Sequence, residues 1–403
     1  MDRSCKLPAT TLIAMLWSFS EPSQARSQVE ASNADKANAG EEAPVVLAFP
    51  AVTGPLTTNS KPTSIDAGPF SDIYVTSVVS ALGMRQDHAF PGDKQSRLDL
   101  SNGHLFVQKV DGPIQFVVQA GVYAFPSLGA ATFSANKTTK ETFGVIPQAF
   151  LKLVPNDNFN LMIGKLPTLA GAEYTFSFQN MNVNRGLLWN QENAVNRGVQ
   201  ANFAKGPLSF SASLNDGFYS NKFNWLSGLA SYAASPTDTI SVVAMGNVGT
   251  TRKTSFATPL LQNNSQIYNL VWTHSSGRMV ITPYLQLTHV QRSRRLGIDH
   301  SASTFGAALL ARYALSLGLS IAGRGEYITS SGSPSRGTPN LLYGTGSDAW
   351  SLTITPTYQR RRLFVRSEVS FVRAQNVVAG SGLGSAFNNH SQTRATMESG
   401  ILF

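Results

Sequence analysis

In LSLGLSIAGRGEY, residues 315–327, the odd positions hold Leu315, Leu317, Leu319, Ile321, Gly323, Gly325 and Tyr327. The even positions hold Ser316, Gly318, Ser320, Ala322, Arg324 and Glu326. A helix would cluster apolar residues three and four apart, whereas a period of two is a strand with one apolar face. The alternation recurs in WSLTITPTY (350–358), LFVRSEVSF (363–371), PLSFSASLN (207–215) and TFGAALLARY (304–313), and more weakly in GVQANF (198–203), IQFVVQAGVYA (114–124) and NFNLMIG (158–164). Sixteen such segments are expected, at about 71–82, 101–110, 114–124, 143–153, 158–165, 197–205, 207–216, 226–235, 238–248, 265–274, 279–290, 303–313, 315–327, 348–359, 361–373 and 392–403. In the first two, both faces are mixed.

The connections between these segments sort by length. Asp111-Gly112-Pro113, PNDN, Gly206, SPTD, SSGR, a break near Ala314 and RRR are short. They alternate with long stretches at about 83–100, 125–142, 166–196, 217–225, 249–264, 291–302, 328–347 and 374–391. A soluble sandwich has no reason to sort its loops this way. A transmembrane barrel does: short turns at one rim, long loops at the other, an even number of strands. The expected fold is therefore all-β, a closed antiparallel transmembrane β-barrel of about sixteen strands spanning 70–403.

Aromatic spacing agrees with that reading. Phe305 and Tyr313 share a face eight residues apart, and so do Trp350 and Tyr358. At about 3.3 Å per residue the separation is roughly 26 Å. With a tilt of about 40° it covers on the order of 20 Å of height, comparable with an apolar band between aromatic girdles. The last strand, TRATMESGILF, alternates up to a terminal aromatic, Phe403. A strand that closes a ring in lipid must be apolar outward and fully paired, because hydrocarbon offers no hydrogen-bond partners.

Composition excludes several rivals. Only 14% of residues are charged, yet no stretch approaches eighteen consecutive apolar residues, so no helical span is expected. Arg3 and Lys6, an apolar stretch over 7–19, and Ser23-Gln24-Ala25 read as a signal peptide ending at Ala25. Residues 26–69, rich in Ala, Asn, Ser, Pro and Thr, read as a flexible leader on the periplasmic side. The one cysteine, Cys5, lies within the signal, so thiol catalysis, disulfides and cysteine–metal sites are not expected in the exported chain. The six histidines are scattered without ligand spacing, and no metal or cofactor is expected. The net charge of +9 survives removal of 1–25, which holds two bases and two acids. It points to an anionic surface or anion path; no nucleic-acid motif accompanies it.

The block GKLPTLAGAE (164–173), NVNRGLLWNQENAVNRGVQANF (182–203) and SLNDG (213–217) resembles the putative beta-barrel porin-2, OmpL-like family. The matching positions are Gly164, Lys165, Pro167, Thr168, Gly171, Glu173, Asn182, Arg185, Leu187, Leu188, Gly198 and Val199. The resemblance implies an outer-membrane porin without fixing its solute. It also implies that Phe403 is read by the barrel-assembly machinery.

Strand parity places Lys152, Arg312, Arg324, Glu326, Arg362, Arg366, Glu368, Arg394 and Glu398 on the inner face as pore-lining residues. A guanidinium facing lipid at mid-depth would cost about 2–4 kcal/mol. Inward arginines favour anions, unless they pair with the neighbouring acids and merely line the wall. The longest loop, 166–196, carries Glu173, Arg185 and Glu192, and is expected either to constrict the bore or to form a lid. Trp189 and Trp225 read as girdle or loop packing, with sugar stacking as the alternative. An enzyme would need a Ser–His or Asp–His arrangement at the rim, and His274 with Ser275 and Ser276 is the one local candidate. The expected function is passive diffusion of small hydrophilic solutes with a weak lean to anions, in a homotrimer by analogy with other porins; a closed receptor or adhesin barrel is the alternative.

Overall fold

The computed structural model describes Leu47 and residues 49–403. The expected signal peptide and most of the expected leader lie outside the described residues. The strands are β1 (Thr63–Asp66), β2 (Asp72–Gln86), β3 (Ser96–Lys109), β4 (Ile114–Tyr123), β5 (Gln148–Asn156), β6 (Phe159–Pro167), β7 (Val195–Lys205), β8 (Leu208–Asn215), β9 (Trp225–Ala233), β10 (Asp238–Asn247), β11 (Ser265–Ser276), β12 (Met279–Val290), β13 (Ala302–Ser316), β14 (Leu319–Ser330), β15 (Asp348–Arg360), β16 (Leu363–Gln375) and β17 (Ser391–Leu402). Among the described residues one α-helix, α1 (Ala135–Glu141), sits in a long loop, its first turn capped by the Ser134 hydroxyl accepting from Lys137 N–H.

From β2 to β17 each strand pairs antiparallel with its sequence neighbours, and β17 pairs with β2, closing a ring of sixteen. Phe403 completes the seam: its N–H donates to Ser77 O at 2.8 Å. The short β1 pairs only with the start of β2, from Thr63↔Val75 to Asp66↔Asp72.

Strand β15 shows how the alternation is used. Ala349, Ser351, Thr353, Thr355, Thr357 and Gln359 are buried inward, while Leu352, Ile354 and Tyr358 are exposed outward. Phe305, Tyr313 and Tyr358 of the expected aromatic pairs all lie on the exposed face, at 45–48% exposure.

Two details differ from the sequence expectation. The turn between β13 and β14 falls at Leu317–Gly318, not near Ala314, because β13 keeps pairing through Ser316↔Leu319 and Gly318 takes φ +79°. Outward parity is the same on both strands, so the apolar odd positions run through the turn without a break. The mixed faces of the first two strands come from a bulge: Ser80 pairs with Asn102 but Ala81 with Leu100. Ser101 is the extra residue, so both it and Asn102 are buried inward and the parity of β3 flips there.

The inner wall is buried rather than wet. Polar inward residues such as Thr355, Ser351 and Asn102 have essentially no exposure. Something other than water covers them.

Candidate functional site

The covering element is the loop between β6 and β7. From Leu169 to Asn196 every residue is buried except the half-buried Tyr174, Trp189 and Asn190. It crosses the interior and docks on the wall of β14–β17, where six of the nine predicted wall residues stand: Arg324, Glu326, Arg366, Glu368, Arg394 and Glu398, all buried.

Each of the six is committed to the loop, to the preceding long loop or to a neighbour on the wall. Arg324 Nη1 donates to Glu173 Oε1 at 2.7 Å and to Asn184 O at 2.8 Å, and its Nε donates to Glu326 at 3.1 Å. Glu326 accepts the backbone N–H groups of Leu187 (3.0 Å) and Leu188 (3.3 Å). Glu368 accepts from the N–H groups of Val183 and Asn184 and from the Asn184 side-chain amide at 2.6 Å. Arg366 donates to the carbonyls of Ser177 and Asn180, both at 2.9 Å, and to Glu398 at 3.3 Å. Glu398 accepts from the Ser177 hydroxyl at 2.7 Å and from the Asn102 side-chain amide at 3.0 Å. Arg394 donates to Ser127 O and Asn184 Oδ1, both at 2.8 Å, and to Gln86 Oε1 at 3.0 Å. A hydrogen bond to a charged group contributes on the order of 1.5–3 kcal/mol, so this set is a strong clamp on an irregular segment.

The Asn-Val-Asn-Arg-Gly-Leu-Leu stretch, 182–188, is the heart of the clamp. Asn182 donates to Thr355 Oγ1 at 2.8 Å. Gly186 donates to Glu173 Oε2 at 2.8 Å, and a Cβ at 186 would lie 2.0 Å from Glu326 Oε1, so a side chain there requires the Glu326 carboxylate or the loop to move. Leu187 and Leu188 pack with Leu128, Val271, Tyr284 and Leu310.

The three predicted loop residues are all inside. Glu173 sits in the clamp. The Arg185 guanidinium is fully buried 4.8 Å from the Trp189 ring centroid and 5.4 Å from that of Phe125, with none of its nitrogens hydrogen-bonded among the described residues. Burial lowers it to about 10, opposed mainly by the Glu173 charge; the aromatic faces take the place of an acceptor. Trp189 thus packs against the arginine, and Trp225 is buried with its Nε1 donating to Asn263 O at 3.0 Å. Glu192 lies against β12. Burial raises its carboxyl to about 8, with the Tyr284 hydroxyl pulling the other way. Tyr284 Oη lies within hydrogen-bonding reach of both Glu192 Oε1 and Gln286 Oε1. One hydroxyl proton cannot serve two acceptors, whereas a protonated Glu192 donates to Tyr284, which then donates to Gln286.

The remaining wall residues differ. Lys152 and Arg312 are half-buried on the inward face toward the short-turn rim, and neither makes an ion pair among the described residues. Arg362 is not on the wall: it is exposed in the turn between β15 and β16, because pairing begins only at Leu363 and inward parity has no meaning before the strand starts.

Sequence reasoning missed the segment before β1. Phe49, Val52 and Leu56 are buried inside the barrel, packed with Phe106, Phe150, Phe178 and Phe364. Gln359 holds Thr57 at both backbone groups, accepting its N–H at 2.8 Å and donating to its carbonyl at 2.9 Å. Gln179 of the loop accepts Thr53 N–H at 2.8 Å and donates to Ala51 O at 2.9 Å. The apolar spacing in FPAVTGPL, 49–56, was the available signal. His274 also has an acid that sequence distance hid: Asp238 on the adjoining strand accepts from the Trp272 indole at 3.0 Å and lies 2.9 Å from His274 Nδ1.

Between the loop and the wall of β9–β13 a narrow crevice remains, with a cavity volume of about 50 Å³. Thr168, Leu169 and Ala170 face Ser241, Val243 and Thr282 across it, and among the described residues no charged side chain lines it.

The trimer form of OmpT, an outer membrane protein of Vibrio cholerae, is similar in fold: TM-score 0.55 over 82% of this chain and 99% of that one, at 9% identity. The outer membrane channel DcaP of Acinetobacter baumannii is similar with TM-score 0.55 over 82% and 97%, at 11% identity. At such identities the likeness is one of fold. No curated protein matches the sequence. The sequence itself matches the family described as "Putative beta-barrel porin-2, OmpL-like" over residues 72–403, the whole ring and the clamped loop included. The chain belongs to this family of outer-membrane porins.

Proposed function

We propose that the chain passes small hydrophilic solutes passively through the crevice between loop 168–194 and the β9–β13 wall, with a weak lean to anions. The observation that carries the reading is the division of the interior. One wall spends its charges on holding the loop, and the opposite wall keeps an uncharged space edged by hydroxyls. The anion lean rests on Arg312 and Lys152 rather than on Arg324 and Arg366, whose guanidiniums are neutralised in the clamp. Arg312 lies two residues beyond the crevice-lining Leu310 on the same inward face, toward the short-turn rim. An unpaired cation at a pore mouth raises the local anion concentration.

The proposal includes a homotrimer, as in the trimer form of the Vibrio protein, recognition of Phe403 by the barrel-assembly machinery, and no hydrolytic activity. The filled interior favours a second reading, a closed receptor or adhesin. Single-channel conductance in a planar bilayer separates the two, because a closed barrel gives no steps. In a salt gradient the reversal potential is expected on the anion side and to move toward zero in Arg312→Gln/Lys152→Gln. An unchanged potential would reject the role of these two residues.

A further inference from the structure

The long loops 248–264, 291–301 and 331–347 carry Arg252, Lys253, Arg292, Arg294, Arg295 and Arg336, all exposed, against a single acid, Asp299. None of the six makes an ion pair among the described residues. Two of the loops are tied together: Arg252 donates to Arg295 O through Nε at 3.0 Å and Nη2 at 2.8 Å. Beside this cluster lies a partly open recess of about 370 Å³, formed by His300, Ser301, Ser331, Ser333, Arg336 and Thr338.

The recess is built to donate. Ser331 Oγ accepts Ser303 N–H at 2.8 Å, and Thr338 Oγ1 accepts Ser333 N–H at 3.3 Å. With those lone pairs occupied, the hydroxyl protons remain for an incoming acceptor. Gly332 lets the chain fold this tightly, since a Cβ there would lie 2.4 Å from a Thr338 methyl. Among the described residues no carboxylate lines the recess, and Arg336 completes a set suited to a phosphate.

Its depth says which phosphate. Ser303 shares the outward parity of Phe305, and Ser331, just past the end of β14, donates its N–H to Ser303 O at 2.8 Å; Phe305 and Tyr327 are 48% and 44% exposed. Ser303 stands two residues above Phe305, roughly 7 Å along the strand. Aromatic girdles mark the edge of the hydrocarbon, so the recess opens sideways at the level of lipid headgroups and away from the bore.

We infer that the rim over β13 and β14 binds the phosphate of an outer-leaflet lipid headgroup, with Arg336, Ser331 and Thr338 in the recess and the arginines of 292–295 holding further anionic groups.

The test is native mass spectrometry of the purified full-length protein in detergent, titrated with bisphosphorylated lipid A and, separately, with phosphatidylethanolamine and inorganic phosphate. Bound lipid A in preference to phosphatidylethanolamine is expected. Arg294→Gln/Arg295→Gln/Arg336→Gln should weaken it by at least about tenfold, the loss expected for a few charge-assisted hydrogen bonds. Ser331→Ala/Thr338→Ala keeps every charge and should still weaken it several-fold, which diffuse attraction would not. Unchanged unit conductance checks that both variants are folded. Equal binding of lipid A by wild type and variants, or full displacement of lipid A by inorganic phosphate, would overturn the inference.

Discussion

Arg324 Nη1 lies 2.7 Å from Glu173 Oε1, a contact that joins β14 to a loop 151 positions earlier in the chain. Both side chains are buried, so neither charge can return to water while the loop is seated. Removing one partner of such a pair typically costs about 3–5 kcal/mol, because the other is left buried and uncompensated. Arg324→Gln should therefore lower the thermal stability of the folded barrel, read by heat-modifiable gel migration, and raise its unit conductance as the loop loosens. A variant with wild-type stability and conductance would show that the loop is held by packing alone.

Gly186 makes the same point sterically. Gly186→Ala brings a methyl against Glu326 Oε1, and overpacking of this kind costs about 1–3 kcal/mol. The expected signature is noisier single-channel current at unchanged selectivity. Pairing it with Glu326→Gln in a double-mutant cycle should give non-additive stability changes, since both act at one contact.

Much of this architecture was legible in the alternation. A period of two fixes which side of a wall a residue faces, and Arg324, Arg366 and Arg394 do face inward. Parity says nothing about what stands across the bore, so the sequence left two readings of these arginines, an anion filter or a wall paired with its acids, and neither included their contacts with 169–196. The Phe49–Leu56 segment was hidden for another reason. Its apolar residues have no strand period because they fill space between side chains rather than pair with a strand, and the Pro- and Thr-rich surroundings resemble a linker. Ser101 was illegible because a bulge breaks the rule that made the other strands readable.

The segment 49–57 is a second filling of the barrel, at the end where β15 turns into β16. Leu56 is 1% exposed, and burial of a leucine cut to alanine costs about 2–5 kcal/mol. Deleting 49–57 removes the bonds to Gln179 but none of the bonds of Arg324, so unit conductance should rise while the effect of Arg324→Gln persists. Gln359→Ala, which removes both anchors of Thr57, should go part of the way. Unaltered conductance in the deletion would mean the segment lies outside the conducting path.

Glu192 supplies a pH dependence whose sign follows from burial. Its folded value of about 8 lies above the unfolded carboxylate range of about 4.3, so between the two the folded state holds a proton that the unfolded chain has lost. The resulting stability is complete below about pH 4, declines as pH rises, and is gone above about pH 8, where the buried Glu192 carboxylate and Gln286 Oε1 compete for the single Tyr284 hydroxyl proton. Melting temperature should fall as pH rises from about 4 to about 8, and loop-derived current noise should grow as the carboxyl ionises near pH 8. Glu192→Gln keeps the shape without the titration and should flatten both trends. A steep pH dependence surviving in that variant would place the titrating group elsewhere.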